Sequence, residues 1–299
     1  MKRLVECVPN FSEGRRRDVV DAIAAAIAAI PETKVLDTEL DGDHNRSVIT
    51  FVSTPEHAAE AAFAGAKKAV ELIDMEKHRG EHPRLGAMDV CPFVPTFGVT
   101  MDECVAMARS LGERIGKELD VPVYFYEAAA TRPERKNLPD VRKGEYEGLK
   151  AEIATNPSRK PDTGPSRMHP TAGAFVIGAR PPLIAFNVNL ATSDLHLAKQ
   201  IAKAVRERDG GLPAVRALGM DLRDRGIVQV SMNLVDYTRT PPHVAYEAVK
   251  TEAAKRGVEV VGSEIVGLLP LAAVVAAMEG MLKVEKFAVD QILETRLWE

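Results

Sequence analysis

Apolar positions along this chain recur with a helical period in some stretches and in short β-rich runs in others. Val19, Val20, Ile23, Ile27 and Ile30 form one face of a helix that stops at Pro31. Thr54-Pro55 reads as an N-cap followed by a first helical residue, with Phe63, Ala66, Val70 and Ile73 on the side to be buried. Thr100 and Glu103 form a capping box ahead of Val105, Ala108 and Ile115. A helix from about Ser193 to Arg208 is closed by Gly210-Gly211, and another follows Thr240-Pro241 and is closed by Gly257. Between the helices lie β-rich runs at 4–8, 34–37, 47–52, 121–126, 174–177, 183–188, 228–234 and 258–261. Alternation of this kind predicts an α/β or α+β class.

The least regular stretch is 127–172, rich in proline and charge. Its end holds Pro157, Pro161, Pro165 and Pro170 together with Gly164, and such a segment does not sustain a helix or a central strand. A long irregular segment inside a compact chain is usually functional or disordered. With 299 residues, two domains are expected, and the natural boundary lies near residue 180, giving 1–180 and 181–299.

Composition narrows the class further. Hydrophobic residues make up 45% and charged residues 27%, a globular profile. Cys7, Cys91 and Cys104 are odd in number and include no C-x-x-C pair, which favours a reducing compartment. No signal-peptide core follows the N-terminus, and the longest uncharged run, 265–278, has 14 residues and contains Pro270, where a membrane span needs about 20. A cytoplasmic protein with no membrane partner is expected. Net charge is −4, which argues against nucleic acid as a partner. Residues 132–180 nevertheless carry ten Lys or Arg against six Asp or Glu, a local excess that suits a small anionic ligand.

His78-Arg79-Gly80-Glu81-His82 spells an inverted zinc-protease motif. Zinc requires both imidazoles on one continuous helix, but Gly80 interrupts the motif and Pro83 pushes His82 out of helical backbone. The helix begun at Pro55 is expected to fray by Gly80, and no metal is expected. His82 remains a candidate for proton transfer, since an imidazole accepts and returns a proton near neutrality. Asn10, Asn187, Asn189 and Asn233 stand at the ends of predicted strands and suit a polar ligand that needs donors and acceptors. Neither a Gly-rich nucleotide loop nor Gly-x-Ser-x-Gly is present.

Residues 5–15 (VECVPNFSEGR), 44–52 (HNRSVITFV), 78–95 (HRGEHPRLGAMDVCPFVP), 121–126 (VPVYFY), 142–149 (RKGEYEGL), 183–190 (LIAFNVNL), 229–237 (QVSMNLVDY) and 261–270 (VGSEIVGLLP) resemble, in order, the glutamate formimidoyltransferase family. In animals this activity occupies the N-terminal half of formimidoyltransferase-cyclodeaminase. The resemblance implies two similar α/β subdomains whose sheets pack face to face, with helices outside and a ligand tunnel between them. It implies transfer of the formimidoyl group from N-formimidoyl-L-glutamate to N5 of tetrahydrofolate, a co-substrate, in histidine degradation. It also implies a homodimer that acts on small molecules and needs no metal. The family's catalytic histidine, in its H-P-R signature, matches His82, as general base and then acid. Glu39 matches an acidic position, with Asp37 on the same strand face, and is a candidate to orient the imidazole or bind the cationic amidine. The folate-binding loop matches Gly164, Pro165, Ser166, Arg167, Met168, His169, Pro170, Thr171, Ala172 and Gly173. Arg142, Arg159, Lys160 and Arg167 are candidates for holding folate carboxylates, and Asn10 for stabilising a tetrahedral intermediate.

The chain departs from the pattern where Glu127-Ala128-Ala129-Ala130 replaces the Gly-Glu-Ala-Ala of the animal sequences, at Ala172 in the folate loop, which replaces an aromatic, and at Met220-Asp221, where animal proteins carry aromatics. Since it ends at Glu299, no cyclodeaminase half is expected. The alternatives are formyl transfer between 5-formyltetrahydrofolate and glutamate, and a folate-binding protein without catalysis.

Overall fold

The structure is a computed structural model and describes residues 3–80, 82–222, 225–284, 287–293 and 295. It divides into two compact units, residues 1–180 and 181–299.

The first unit runs β1 (Val5–Cys7), β2 (Asn10–Phe11), α1 (Arg17–Ala28), β3 (Lys34–Asp41), β4 (Arg46–Ser53), α2 (Pro55–Leu72), β5 (Met88–Pro95), α3 (Met101–Glu118), β6 (Val123–Glu127), α4 (Leu138–Val141), α5 (Glu145–Glu152) and β7 (Phe175–Ala179). β1 and β2 both pair with β4 and β5, so the sheet reads β3, β4, then β1 with β2, then β5, β7 and β6. The β5–β7–β6 end is parallel and the rest antiparallel. One face carries the main core: Phe11, Phe51, Phe93 and Phe175 meet Val20, Ile23 and Ile27 of α1, the alanines of α2, and Leu111 and Ile115 of α3. The capping box at Thr100 is present, with the Glu103 amide donating to Thr100 Oγ1 and the Glu103 carboxylate accepting from the Thr100 amide.

On the other face, Val90, Tyr124, Tyr126 and Val176 pack against Val141, Leu149 and Ile153 of α4 and α5. Two short helices therefore stand inside the stretch expected to be irregular. Pro139, Gly144 and Gly148 hide their period, and packing on the sheet supplies what propensity does not. A buried ion pair, Arg135–Asp162 at 2.5 Å, ties this stretch down, with Asp162 also accepting the Phe125 amide.

The second unit runs β8 (Ile184–Leu190), α6 (Leu195–Val205), β9 (Val215–Leu222), β10 (Ile227–Leu234), α7 (Pro242–Ala254), β11 (Val260–Val266) and α8 (Leu271–Leu282). Its sheet, ordered β11-β8-β10-β9, is antiparallel throughout. That is the split βαββαβ arrangement of ferredoxin-like domains. The first unit repeats it, with β1 and β2 in the place of β8, β3 of β9, β4 of β10 and β5 of β11, and then adds β7 and β6 to the β5 edge. The expectation of two similar α/β halves is met. In the second unit, Phe186, Val188, Val230 and Met232 face Ile201 of α6 and Val249 of α7. The opposite face carries Asn187, Asn189, Gln229, Ser231 and Asn233. Among the described residues, no helix is long and apolar enough to cross a membrane.

Candidate active site

In the first unit a small pocket is lined by Phe11, Ser12, His44, Asn45, His82 and Asp89, with Arg46, His78 and Arg84 completing it. Three backbone segments converge here: β2, the Gly42–Asn45 turn between β3 and β4, and the connection from α2 to β5.

The connection explains the histidines. Helix α2 ends at Leu72, earlier than expected, because the chain turns on Asp74, whose carbonyl accepts the amides of Lys77 and His78, and because the Met75 amide reaches the Thr171 carbonyl at 2.7 Å. His78 lies in this connection and not on a helix. Its Nε2 donates to the Asn45 carbonyl at 2.8 Å, while Asn45 donates to the Arg79 carbonyl and accepts the Gly14 amide. His78 thus joins the connection to the hairpin turn, where Asn45 adopts φ +50°, a left-handed geometry asparagine tolerates better than most residues. Glu81 of the zinc-like motif lies outside the described residues. Among the described residues, no group of three His, Cys, Asp or Glu side chains is placed to hold a metal.

His82 follows, with its ring edge-on to His44 at a centroid separation of 6.4 Å. Burial, then the charges of Arg46 and Arg142 and the neighbouring His44, push its pKa down to about 3. The imidazole is therefore unprotonated at neutral pH, and a weak proton acceptor in the free protein. His44 Nδ1 meets the Asp41 carboxylate at 2.6 Å. Burial pushes the Asp41 carboxyl up, but the His44 amide and imidazole and the Asp43 amide outweigh it and hold it below its ordinary range.

The segment after His82 is fixed from several sides. Arg84, buried, forks onto Glu147 at 2.7 and 2.9 Å and reaches Glu145 at 3.1 Å, both in the first turn of α5. Asp89 accepts the Leu85 amide at 2.9 Å and pairs with Arg142. Ser12 Oγ donates to the Gly86 carbonyl, and the Ser12 amide to that of Ala87.

The 164–173 loop lies against this same segment. Gly86 and Gly173 form a β-bridge, and the Ala87 amide donates to the Ala172 carbonyl at 2.8 Å. Gly173 has φ +73°, and a Cβ there would lie 2.4 Å from the Leu85 carbonyl oxygen, so only glycine allows the approach. His169 Nδ1 accepts the amides of Thr171 and Ala172, closing the loop on itself. Ala172 is fully buried in the core, so an aromatic there would change packing beneath the loop.

A profile of the formiminotransferase domain, N-terminal subdomain, matches residues 4–180, and one of the formiminotransferase domain matches 185–296. The chain belongs to the formiminotransferase family. It is 52% identical over 296 residues to a glutamate formimidoyltransferase of Thermoplasma acidophilum, spanning 98% of this chain and 97% of that one. The glutamate formimidoyltransferase of Streptococcus pyogenes serotype M1 is 47% identical over 298 residues, 99% of each chain. The formimidoyltransferase-cyclodeaminase of Rattus norvegicus is 47% identical over 283 residues, which is 93% of this chain and 52% of that protein.

Of the residues the sequence singled out in this formiminotransferase chain, His82, Asn10 and the 164–173 loop all lie in the first unit. Asn10 donates to the Val8 carbonyl at 2.8 Å and accepts from Arg46. Glu39 is on the same face of β3 as Asp37 and Asp41, half-buried, its pKa raised by burial and by Asp37. The carboxylate bonded to an imidazole of the pocket is Asp41, two residues further along. Asn187, Asn189 and Asn233 belong to the second unit, where Asn187 and Gln229 donate to Glu264 and Gln229 also donates to Asn189 at 2.9 Å.

The basic excess of 132–180 is largely internal. Arg142 pairs with Asp89, Arg159 with Glu152, Arg167 with Asp120 and Lys150 with Glu76, and Lys160 is exposed. Sequence reasoning missed Arg46, His44, Asp41, Asp89 and Arg84. The signal for the first two was the polar triplet His44-Asn45-Arg46 placed directly before the apolar strand β4.

Proposed function

We propose that this chain is a one-carbon group transferase that moves the formimidoyl group of N-formimidoyl-L-glutamate to N5 of tetrahydrofolate and releases L-glutamate. The observation that carries the reading is near full-length relatedness to a glutamate formimidoyltransferase, joined to a half-buried, unprotonated His82 in a polar pocket. N5 attacks the amidine carbon, and a C–N bond forms. His82 takes the N5 proton and returns it to the glutamate nitrogen as the old C–N bond breaks, so the two half-reactions balance without external acid or base. In this reading Asn10 serves the tetrahedral intermediate and Glu39 the cationic amidine.

Residues 164–173 form the folate site in this reading, supported by a self-closed loop bonded to the segment that carries His82. Asn187, Asn189 and Asn233 are kept in this reading as candidates for polar substrate groups. No metal takes part in the proposed reaction. The reading extends to a cytoplasmic homodimer. It is consistent with exposed apolar side chains on β11 and α8 such as Ile265, Met281 and Leu282, and light scattering in solution tests it.

The test incubates pure protein with tetrahydrofolate and N-formimidoyl-L-glutamate, following L-glutamate release and the reduced-folate spectrum. The His82→Ala variant is expected to bind folate and lose at least about a hundredfold in rate, the low end of general acid–base contributions. Turnover with 5-formyltetrahydrofolate plus glutamate but not with the formimidoyl donor would sink the assignment.

A further inference from the structure

Arg46 differs from the other deeply placed guanidinium groups of the first unit. Arg84 meets Glu145 and Glu147, Arg135 meets Asp162, and Arg142 meets Asp89. Among the described residues Arg46 has no carboxylate at ion-pair distance. Its hydrogen-bond partner is the neutral amide of Asn10, and its Nε–H, like those of Arg84 and Arg142, is buried without a partner. A half-buried guanidinium with no carboxylate at ion-pair distance is costly, and its remaining N–H donors match a planar carboxylate.

The place of this cation narrows the ligand. Arg46 lines the same pocket as His82, so its partner binds within reach of the proton-transfer group. In an N-formimidoyl amino acid the α-carboxylate is separated from the reacting amidine carbon only by the amine nitrogen and Cα. The carboxylates of a folate tail lie beyond an aromatic ring, far from N5. We propose that Arg46 is the subsite for the α-carboxylate of the amino-acid substrate, which it holds beside His82. The inference rests on the transferase reading and adds to it where the donor is anchored.

Filling this subsite alters the field at the imidazole. The groups that lower the proton affinity of His82 are Arg46 from β4, Arg142 from the segment before α5, and the neighbouring His44 from the hairpin turn. Asp89 is bound to Arg142 and Asp41 to His44, and both, with Glu39 of β3, also act on Arg46 from beyond ion-pair distance. Arg84, on the loop of His82 itself, is held by Glu145 and Glu147. A carboxylate on Arg46 removes net positive charge at the ring, so the protonated imidazole forms more readily with substrate bound than without it. His82 then becomes a stronger base when there is a proton to take.

Calorimetry with L-glutamate, the product that shares the α-carboxylate, tests the subsite directly. Wild type is expected to bind it, Arg46→Gln to lose at least about tenfold in affinity, and Arg46→Lys to lie between. γ-Aminobutyrate, which keeps the side-chain carboxylate and lacks the α-carboxylate, is expected to bind wild type and Arg46→Gln alike. Histidine NMR of the wild-type protein gives a readout that needs no variant: saturating L-glutamate moves the His82 titration midpoint upward. Equal affinity of wild type and Arg46→Gln for L-glutamate would overturn the proposal, as would a His82 midpoint that L-glutamate leaves in place. Weakened binding of a reduced folate with glutamate affinity intact would assign Arg46 to the folate tail and also overturn it. Failure of the wild type to transfer a formimidoyl group would refute the transferase reading instead, and leave the glutamate titration to judge the subsite.

Discussion

Replacing His82 by Gln removes a titrating group whose folded and unfolded states differ widely in proton affinity. The imidazole has an ordinary pKa of 6.5 and is pushed down to about 3 in the folded chain, first by burial and then by Arg46 and Arg142. A depressed histidine leaves stability unchanged where both states are neutral, above 6.5, and opposes folding as pH falls toward 3, because only the unfolded chain then gains the proton. At pH 5 the unfolded imidazole is almost fully protonated and the folded one is not, so the cost relative to pH 7 is about 2 kcal/mol. His78 and His169 are also depressed, mainly by burial, but they are common to both proteins and cancel in the comparison. Urea unfolding of wild type and His82→Gln at pH 7 and pH 5, followed by far-ultraviolet circular dichroism, reads the difference. Wild type should lose about 2 kcal/mol more than the variant between the two pH values. Parallel losses in the two proteins would refute the claim that His82 is held neutral by its surroundings.

Other outcomes follow from the same geometry. Arg135→Met leaves Asp162 buried without its cation and should destabilise the first unit by about 3–5 kcal/mol, read from urea midpoints. Gly173→Ala places a methyl against the Leu85 carbonyl at a positive φ, and should cost about 1–3 kcal/mol and weaken reduced-folate binding in calorimetry. Glu147→Gln loosens the fork on Arg84 two residues after His82, so kcat should fall more than KM changes, with recovery in Glu147→Asp.

How much of this was legible depended on period and burial. The amphipathic helices α1, α2, α3, α6 and α7 announced themselves because one face of each is apolar. β5 did not: it is buried along nearly its whole length and contains Pro92 and Pro95, so it shows no alternation. β9 is an edge strand interrupted by Gly219, which lets α6 approach closely, since a Cβ there would lie 2.5 Å from the Lys199 amide nitrogen. α8 is apolar nearly all round and carries no 3.6-residue contrast.

At the site, Pro83 was enough to argue His82 out of a zinc helix. The partners of His82 were invisible because they arrive from a hairpin turn nearly forty residues earlier and from a segment sixty residues later, at His44 and Arg142. Counting charges in 132–180 suggested a ligand site, but register and packing pair much of that charge internally, while Arg46, outside the segment, has no carboxylate at ion-pair distance among the described residues. Glu127 shows the reverse case. It takes φ +51°, the left-handed region that favours glycine, at the position where the animal sequences of the resemblance carry glycine.

The central claim is that His82 carries the proton between the two nitrogens as the one-carbon unit moves. N-formimidoyl-L-glutamate labelled with carbon-13 at the formimidoyl carbon, mixed with tetrahydrofolate and enzyme, lets NMR follow that carbon from the glutamate nitrogen to N5. The expected result is complete transfer by wild type, with His82→Asn at least about a hundredfold slower while still binding both substrates. Transfer by His82→Asn at the wild-type rate would contradict the account.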